Sequence, residues 1–160
     1  MAIIYGLVRP RGGPDTGSEA PRFRGQLLSG EVFDFDAHRG RVFLLDFWAT
    51  WCGPCRRSLP ALERVYQLLK DDPAVTILSV NQDRGARQAD LVKTYMKEAR
   101  LTFPVLLDRG NVASMYRVTT LPTLVVIGTD GVIRTVRVGL HSSDPDRIVQ
   151  DLTELIGKAR

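Results

Sequence analysis

The chain has two cysteines, and they stand in the run Trp51-Cys52-Gly53-Pro54-Cys55. Cysteines three residues apart can bring their sulfurs together across one helical turn, so reversible disulfide formation is the chemistry this spacing allows. A buried-looking strand precedes the pair and an amphipathic stretch follows it, which puts Cys52 at a helix start. The free N–H groups and dipole of a helix N-terminus favour a thiolate there. Cys52 is therefore the expected nucleophile, and Cys55 the thiol that resolves a mixed disulfide by attacking Cys52. Arg56 and Arg57 add positive charge in the same turn, either tuning Cys52 or serving as ordinary surface charge.

Other uses of the pair fit less well. A structural disulfide across so short a loop constrains the unfolded chain little. A zinc site would need two more ligands, and the only histidines, His38 and His141, are distant and lack their own spacing motif. Covalent c-type haem needs His directly after the second cysteine, where this chain has Arg56. No metal and no cofactor is expected.

Asp46 is the next candidate. It interrupts the apolar run Val42-Phe43-Leu44-Leu45-Asp46-Phe47 on the face shared by Val42 and Leu44, just ahead of the cysteines. Burial would raise its pKa and let it take the proton from Cys55 during resolution. The alternative is a carboxylate satisfied by local hydrogen bonds at a strand end. Pro60 falls inside the following helix as a structural kink. Pro122, in Thr120-Leu121-Pro122-Thr123, opens a strand, for which a trans peptide bond is the default reading of the residues alone.

These groups need a scaffold, and the hydrophobic pattern outlines one. Val42–Phe47 and Val75–Val80 read as strands covered on both faces, and Val105–Leu107 as a short third. Ala61–Leu69 and Gln88–Arg100 carry apolar residues at helical spacing, the second with Leu91, Val92, Tyr95 and Met96 on one side. Asn111–Tyr116 reads as a short helix. Thr123–Ile127 and Val132–Val138 flank Gly128-Thr129-Asp130-Gly131, a hairpin signal. A last helix starts at Ser143 or Asp144 with Pro145 in its first turn. Phe23–Phe35 reads as an extra hairpin around Ser29-Gly30. The expected fold is α/β: a central mixed sheet flanked by helices, with an N-terminal β-hairpin and an inserted strand-helix segment. Residues 1–20, rich in Pro and Gly from position 9 onward, read as a flexible lead-in, and 21–158 as one domain.

Bulk properties agree. At 160 residues, with 44% hydrophobic and 25% charged, the chain has the composition of a globular domain and excludes disorder or fibre. No apolar run approaches the roughly 20 residues of a membrane span, and no basic n-region precedes Met1–Val8 as an export signal would require. The net charge is +4, but the basic residues sit in scattered pairs with no nucleic-acid motif, so a solvated surface is the better reading.

Asp46-Phe47-Trp48-Ala49-Thr50-Trp51-Cys52-Gly53-Pro54-Cys55, followed by Pro60, resembles the thioredoxin superfamily. Gly17–Phe23, the hairpin after it and the Val75–Leu107 segment are similar to its TlpA/ResA-like branch. The resemblance implies a thiol-disulfide oxidoreductase that reduces protein disulfides. It implies a cis Pro122 beside the cysteines, backbone pairing of Leu121 with the substrate, and substrate contacts at Trp51, Gly53 and Pro54, with Trp48 and Trp51 on an apolar rim. The implied partners are protein disulfides and an upstream electron donor, for a monomer that does not bind nucleic acid or insert in membrane. Family habit implies an extracytoplasmic, periplasmic location; the sequence taken as complete would imply the cytoplasm. That branch often has Asn at position 46 and Glu near position 84, where this chain has Asp46 and Arg84, so a narrow cytochrome-maturation role does not transfer directly. A dedicated partner-binding redox protein and a thiol peroxidase are the alternatives.

Overall fold

The structure is a computed structural model that describes residues 14–160. Of the expected lead-in 1–20, positions 1–13 thus lie outside the described residues. Just after them, Gly17 and Ala20 donate backbone hydrogen bonds to Ile133 and Gly131 at 2.8 and 2.9 Å, and Glu19 bridges Val132.

The expected N-terminal hairpin is formed by β1 (Arg24–Gln26) and β2 (Val32–Asp34), paired antiparallel. Its turn passes through Gly30 at φ 95°, a left-handed conformation that glycine adopts without a Cβ clash. Seven-residue β3 (Val42–Trp48) is buried at every position and sits at the centre of a five-stranded sheet. β4 (Val75–Asn81) and β5 (Val105–Leu107) lie parallel to it on one side; on the other, β6 (Thr123–Ile127) pairs antiparallel with β3 and β7 (Ile133–Val138) antiparallel with β6, giving the order β5-β4-β3-β6-β7. A strand covered on both faces has no need of polar alternation, which is why the β3 run is apolar except at Asp46.

Both crossovers from β3 to β4 and from β4 to β5 step the same way across the sheet. Right-handed connections therefore put α1 (Gly53–Leu69) and α2 (Gln88–Glu98) on one face. Leu59, Leu62 and Val65 of α1 pack there with Val92 and Met96 of α2, and with Leu152 and Ile156 of α4 (Pro145–Lys158). The opposite face is covered by α3 (Asn111–Met115), Tyr116 and the hairpin phenylalanines Phe23 and Phe33. Where the hairpin packs against β5, a Cβ on Gly25 would lie 2.8 Å from the Leu106 side chain.

Two details differ from the sequence reading. The helix after the cysteines starts at Gly53, eight residues before its apolar periodicity begins, because Cys52 caps it and Pro54 fits its first turn. Leu91 is 47% exposed, so the core face of α2 is Val92 and Met96 with half-buried Tyr95. At the last helix Asp144 is the cap, accepting the Asp146 N–H at 3.0 Å.

Candidate active site

The C-terminal ends of β3, β4 and β5 and the start of β6 meet at one edge of the sheet, and the cysteines sit there. Cys52 and Cys55 are joined as a disulfide with Cα atoms 5.3 Å apart. Cys52 is the N-cap of α1, and its sulfur accepts the Cys55 backbone N–H at 3.2 Å. One donor of the helix start is thus aimed at Cys52 sulfur, which is the electrostatic arrangement that holds a thiolate when the bond is reduced. Cys55 is fully buried and Cys52 is 5% exposed.

Around them, Trp51 is 70% exposed, Gly53 is exposed and Pro54 half-buried. Trp48 is wholly buried, 5.5 Å from the Tyr95 ring, so it belongs to the core rather than to the rim. The Leu121–Pro122 peptide bond is cis, in contrast to the trans default read from the residues alone and in line with the family resemblance. Leu121 packs against the cluster that holds both cysteines. Thr123, the next residue, pairs with Phe47, so this bond lies at the sheet edge that carries Cys52.

Asp46 lies one residue before Phe47 in β3 and is 6% exposed. Its carboxyl receives no hydrogen bond from a described side chain; desolvation by burial pushes its pKa up to about 7. It faces a cavity of about 60 Å³ that Ser58, Leu62, Pro122, Arg137 and Asp151 also line. One water takes about 10–15 Å³ of such space, so the cavity has room for a few.

Sequence reasoning missed the groups that brace this edge. Asp83, buried just past β4, accepts from the Thr50 N–H at 2.8 Å, the Thr50 hydroxyl at 2.6 Å and the Asn81 amide at 2.7 Å. Asn81 in turn accepts from the Asp83 N–H and from Gln88. Asp108, past β5, accepts from Gln82 and from the Val112 and Ala113 N–H groups of α3. The available signal was that each carboxylate lies within two residues of the end of a strand that terminates at the same edge as the cysteines. Among the described residues no cluster of metal-ligating side chains occurs, and no helix is long and apolar enough to cross a membrane.

The family model for the AhpC/TSA family matches residues 16–136, a span that includes the cysteine turn, the hairpin and the inserted segment. The chain belongs to the AhpC/TSA family. The chain is 35% identical over 127 residues to the thioredoxin-like protein YneN of Bacillus subtilis, covering 79% of this chain and 74% of that protein. It is 32% identical over 142 residues to the thiol-disulfide oxidoreductase ResA of Halalkalibacterium halodurans, covering 88% and 76%. Among solved structures, it superposes on a thiol:disulfide interchange protein of the thioredoxin family from Chlorobium tepidum with a TM-score of 0.71 at 28% identity, covering 86% of this chain and 97% of that one. The expected thioredoxin-like α/β fold is thereby established, as is the ResA-like affiliation. With its paired cysteines, this AhpC/TSA family member is a thiol-disulfide oxidoreductase.

Proposed function

We propose that the chain reduces protein disulfides, with Cys52 as the attacking and Cys55 as the resolving thiol. The observation that carries this is Cys52 at the N-cap of α1, taking the Cys55 N–H at its sulfur while Cys55 is sealed in the core. In the dithiol form the Cys52 thiolate attacks one sulfur of a substrate disulfide and expels the other as a thiolate, which takes a proton from solvent. The Cys55 thiol then gives its proton to the Asp46 carboxylate and attacks Cys52 sulfur. The substrate's second sulfur leaves, Cys52–Cys55 closes, and two electrons have passed to the substrate. Asp46 is the one buried carboxyl facing the cavity behind this edge, and the cavity offers its proton a way to solvent.

Leu121 and Pro122 dock the extended substrate, and exposed Trp51 with Gly53 and Pro54 forms its apolar contact surface. An upstream dithiol donor restores the reduced state, and the working unit is a monomer. Residues 21–158 act as one domain. The test is reduction of insulin: Cys52→Ser should abolish it, and Cys55→Ser should accumulate substrate as a mixed disulfide on Cys52. Full activity of the Cys52→Ser protein would remove the reading. Rapid peroxide consumption by the dithiol protein would favour a thiol peroxidase instead.

A further inference from the structure

The edge that carries Cys52 also gathers arginines that are scattered in sequence. Across it, the strand order puts Arg109 past the end of β5, Arg84 past the end of β4, Cys52 past the end of β3 and Pro122 at the start of β6. β4 and β5, whose ends lead into Arg84 and Arg109, are the first and second strands beside β3, whose end leads into Cys52. Both are exposed, and both line a cleft of about 280 Å³ together with Asp83 and Gln88. The Arg84 guanidinium lies 3.7 Å from the point where a Cβ on Gly110 would sit, which brings it to the residue beside Arg109. The cleft shares Asp83 with the cysteine turn, since that carboxylate holds Thr50.

Neither arginine is in an ion pair among the described residues, and positions 1–13 contain no acidic residue that could supply one. The acids nearest in the chain are already engaged. Both oxygens of Asp83 accept from Thr50 and Asn81, and both oxygens of Asp108 accept from Gln82 and the start of α3. Two unpaired guanidinium groups in one cleft present fork-shaped donors that match a carboxylate.

We propose that Arg84 and Arg109 receive an acidic side chain of the protein substrate, on the side of Cys52 away from Pro122. This rests on the thiol-exchange reading and specifies its substrate class: extended segments with Asp or Glu near the disulfide.

The test uses matched short peptides with Glu or with Gln about three residues on each side of a central position. With Ser at the centre, binding to the oxidised protein is titrated without any exchange chemistry. With Cys at the centre, as a mixed disulfide with a small neutral thiol, the reduction rate by the dithiol protein is followed. For exposed charge pairs the expected Glu-over-Gln preference is roughly three- to tenfold in both assays at low salt, fading as salt screens it. Arg84→Gln/Arg109→Gln should bring the preference to about one. Arg39→Gln/Arg41→Gln, which removes the same charge ahead of β3 at the opposite end, should leave it in place. No preference in the wild type, a preference that survives Arg84→Gln/Arg109→Gln, or an equal loss in both double variants would overturn the proposal. Failure to reduce the Gln peptide disulfide, with the Glu preference in binding intact, would instead count against the thiol-exchange reading and leave the receptor standing.

Discussion

Asp83 holds Thr50 by both its backbone N–H, at 2.8 Å, and its hydroxyl, at 2.6 Å, across 33 residues of sequence. Thr50 stands two residues before Cys52, so a carboxylate from the far side of the β4 turn fixes where the cysteine turn begins. A buried acceptor with three donors leaves all three unsatisfied when truncated.

Asp83→Ala should therefore cost roughly 2–3 kcal/mol of stability, measured by urea denaturation, and slow insulin reduction at a temperature where the variant is fully folded. Asp83→Asn, which keeps one acceptor oxygen, should recover part of both. Unchanged stability in the alanine variant would show that Thr50 is held by other means.

The pKa of about 7 for Asp46, raised by burial, has a definite consequence for stability. The folded oxidised protein binds a proton at Asp46 that the unfolded chain has lost above its ordinary value of 3.8. This contribution to stability is complete below about pH 4, declines as pH rises and is gone above about pH 7. Asp46→Asn should thus be more stable than wild type at pH 8, and the gap should close toward pH 4. Urea midpoints across that range check it, and a gap that widened on acidification would contradict a buried, neutral-preferring carboxyl.

The same group should shape the rate. Resolution needs Asp46 ionised to take the Cys55 proton, so the wild-type rate should rise through about pH 7 and Asp46→Asn should lose that inflection, with a roughly hundredfold slower resolving step. Single-turnover quenched-flow measurement of mixed-disulfide decay separates this from the first attack. An unaltered decay profile would remove Asp46 from the proton path.

Glu63 on α1 ties the helix to the segment ahead of β5, accepting the Thr102 and Phe103 N–H groups at 2.7 and 3.2 Å. Desolvation works to raise its pKa, but the hydrogen bonds from Thr102, Gln67 and Phe103 outweigh it and the net direction is downward. Its stabilising effect is present above pH 4.5 and fades as pH falls through the lowered value. Glu63→Ala should lose under about 1 kcal/mol at pH 7, since solvent screens this half-buried site, and less as the pH falls below 4.5. Equal losses above and below that pH would mean that the contact works by packing instead of charge.

Much of this was legible in the sequence because it is local. The cysteine spacing, the apolar β3 run broken only by Asp46, and the Gly128–Gly131 turn each encode their structure within a few residues, and all formed as read. The family motif indicated the Leu121–Pro122 geometry, which local preference alone puts in the commoner trans form. What stayed hidden depends on which strands end side by side. Asp83 and Asp108 look like ordinary loop carboxylates until β4 and β5 terminate beside the cysteine turn. Arg84 and Arg109, 25 residues apart, become one cleft only through the order β5-β4-β3. Leu91 reads as part of the apolar side of α2, but the row that the helix buries is Gln88, Val92 and Met96 at four-residue spacing, which leaves Leu91 facing outward.

The central claim concerns the ionisation of Cys52, and the rate of its alkylation in the reduced protein as a function of pH tests it most directly. Cys52 should titrate below the ordinary thiol value of about 8.5, because the helix N-terminus favours its thiolate, with Cys55 modified far more slowly at every pH. A Cys52 profile centred near 8.5, or Cys55 reacting as fast as Cys52, would contradict the account.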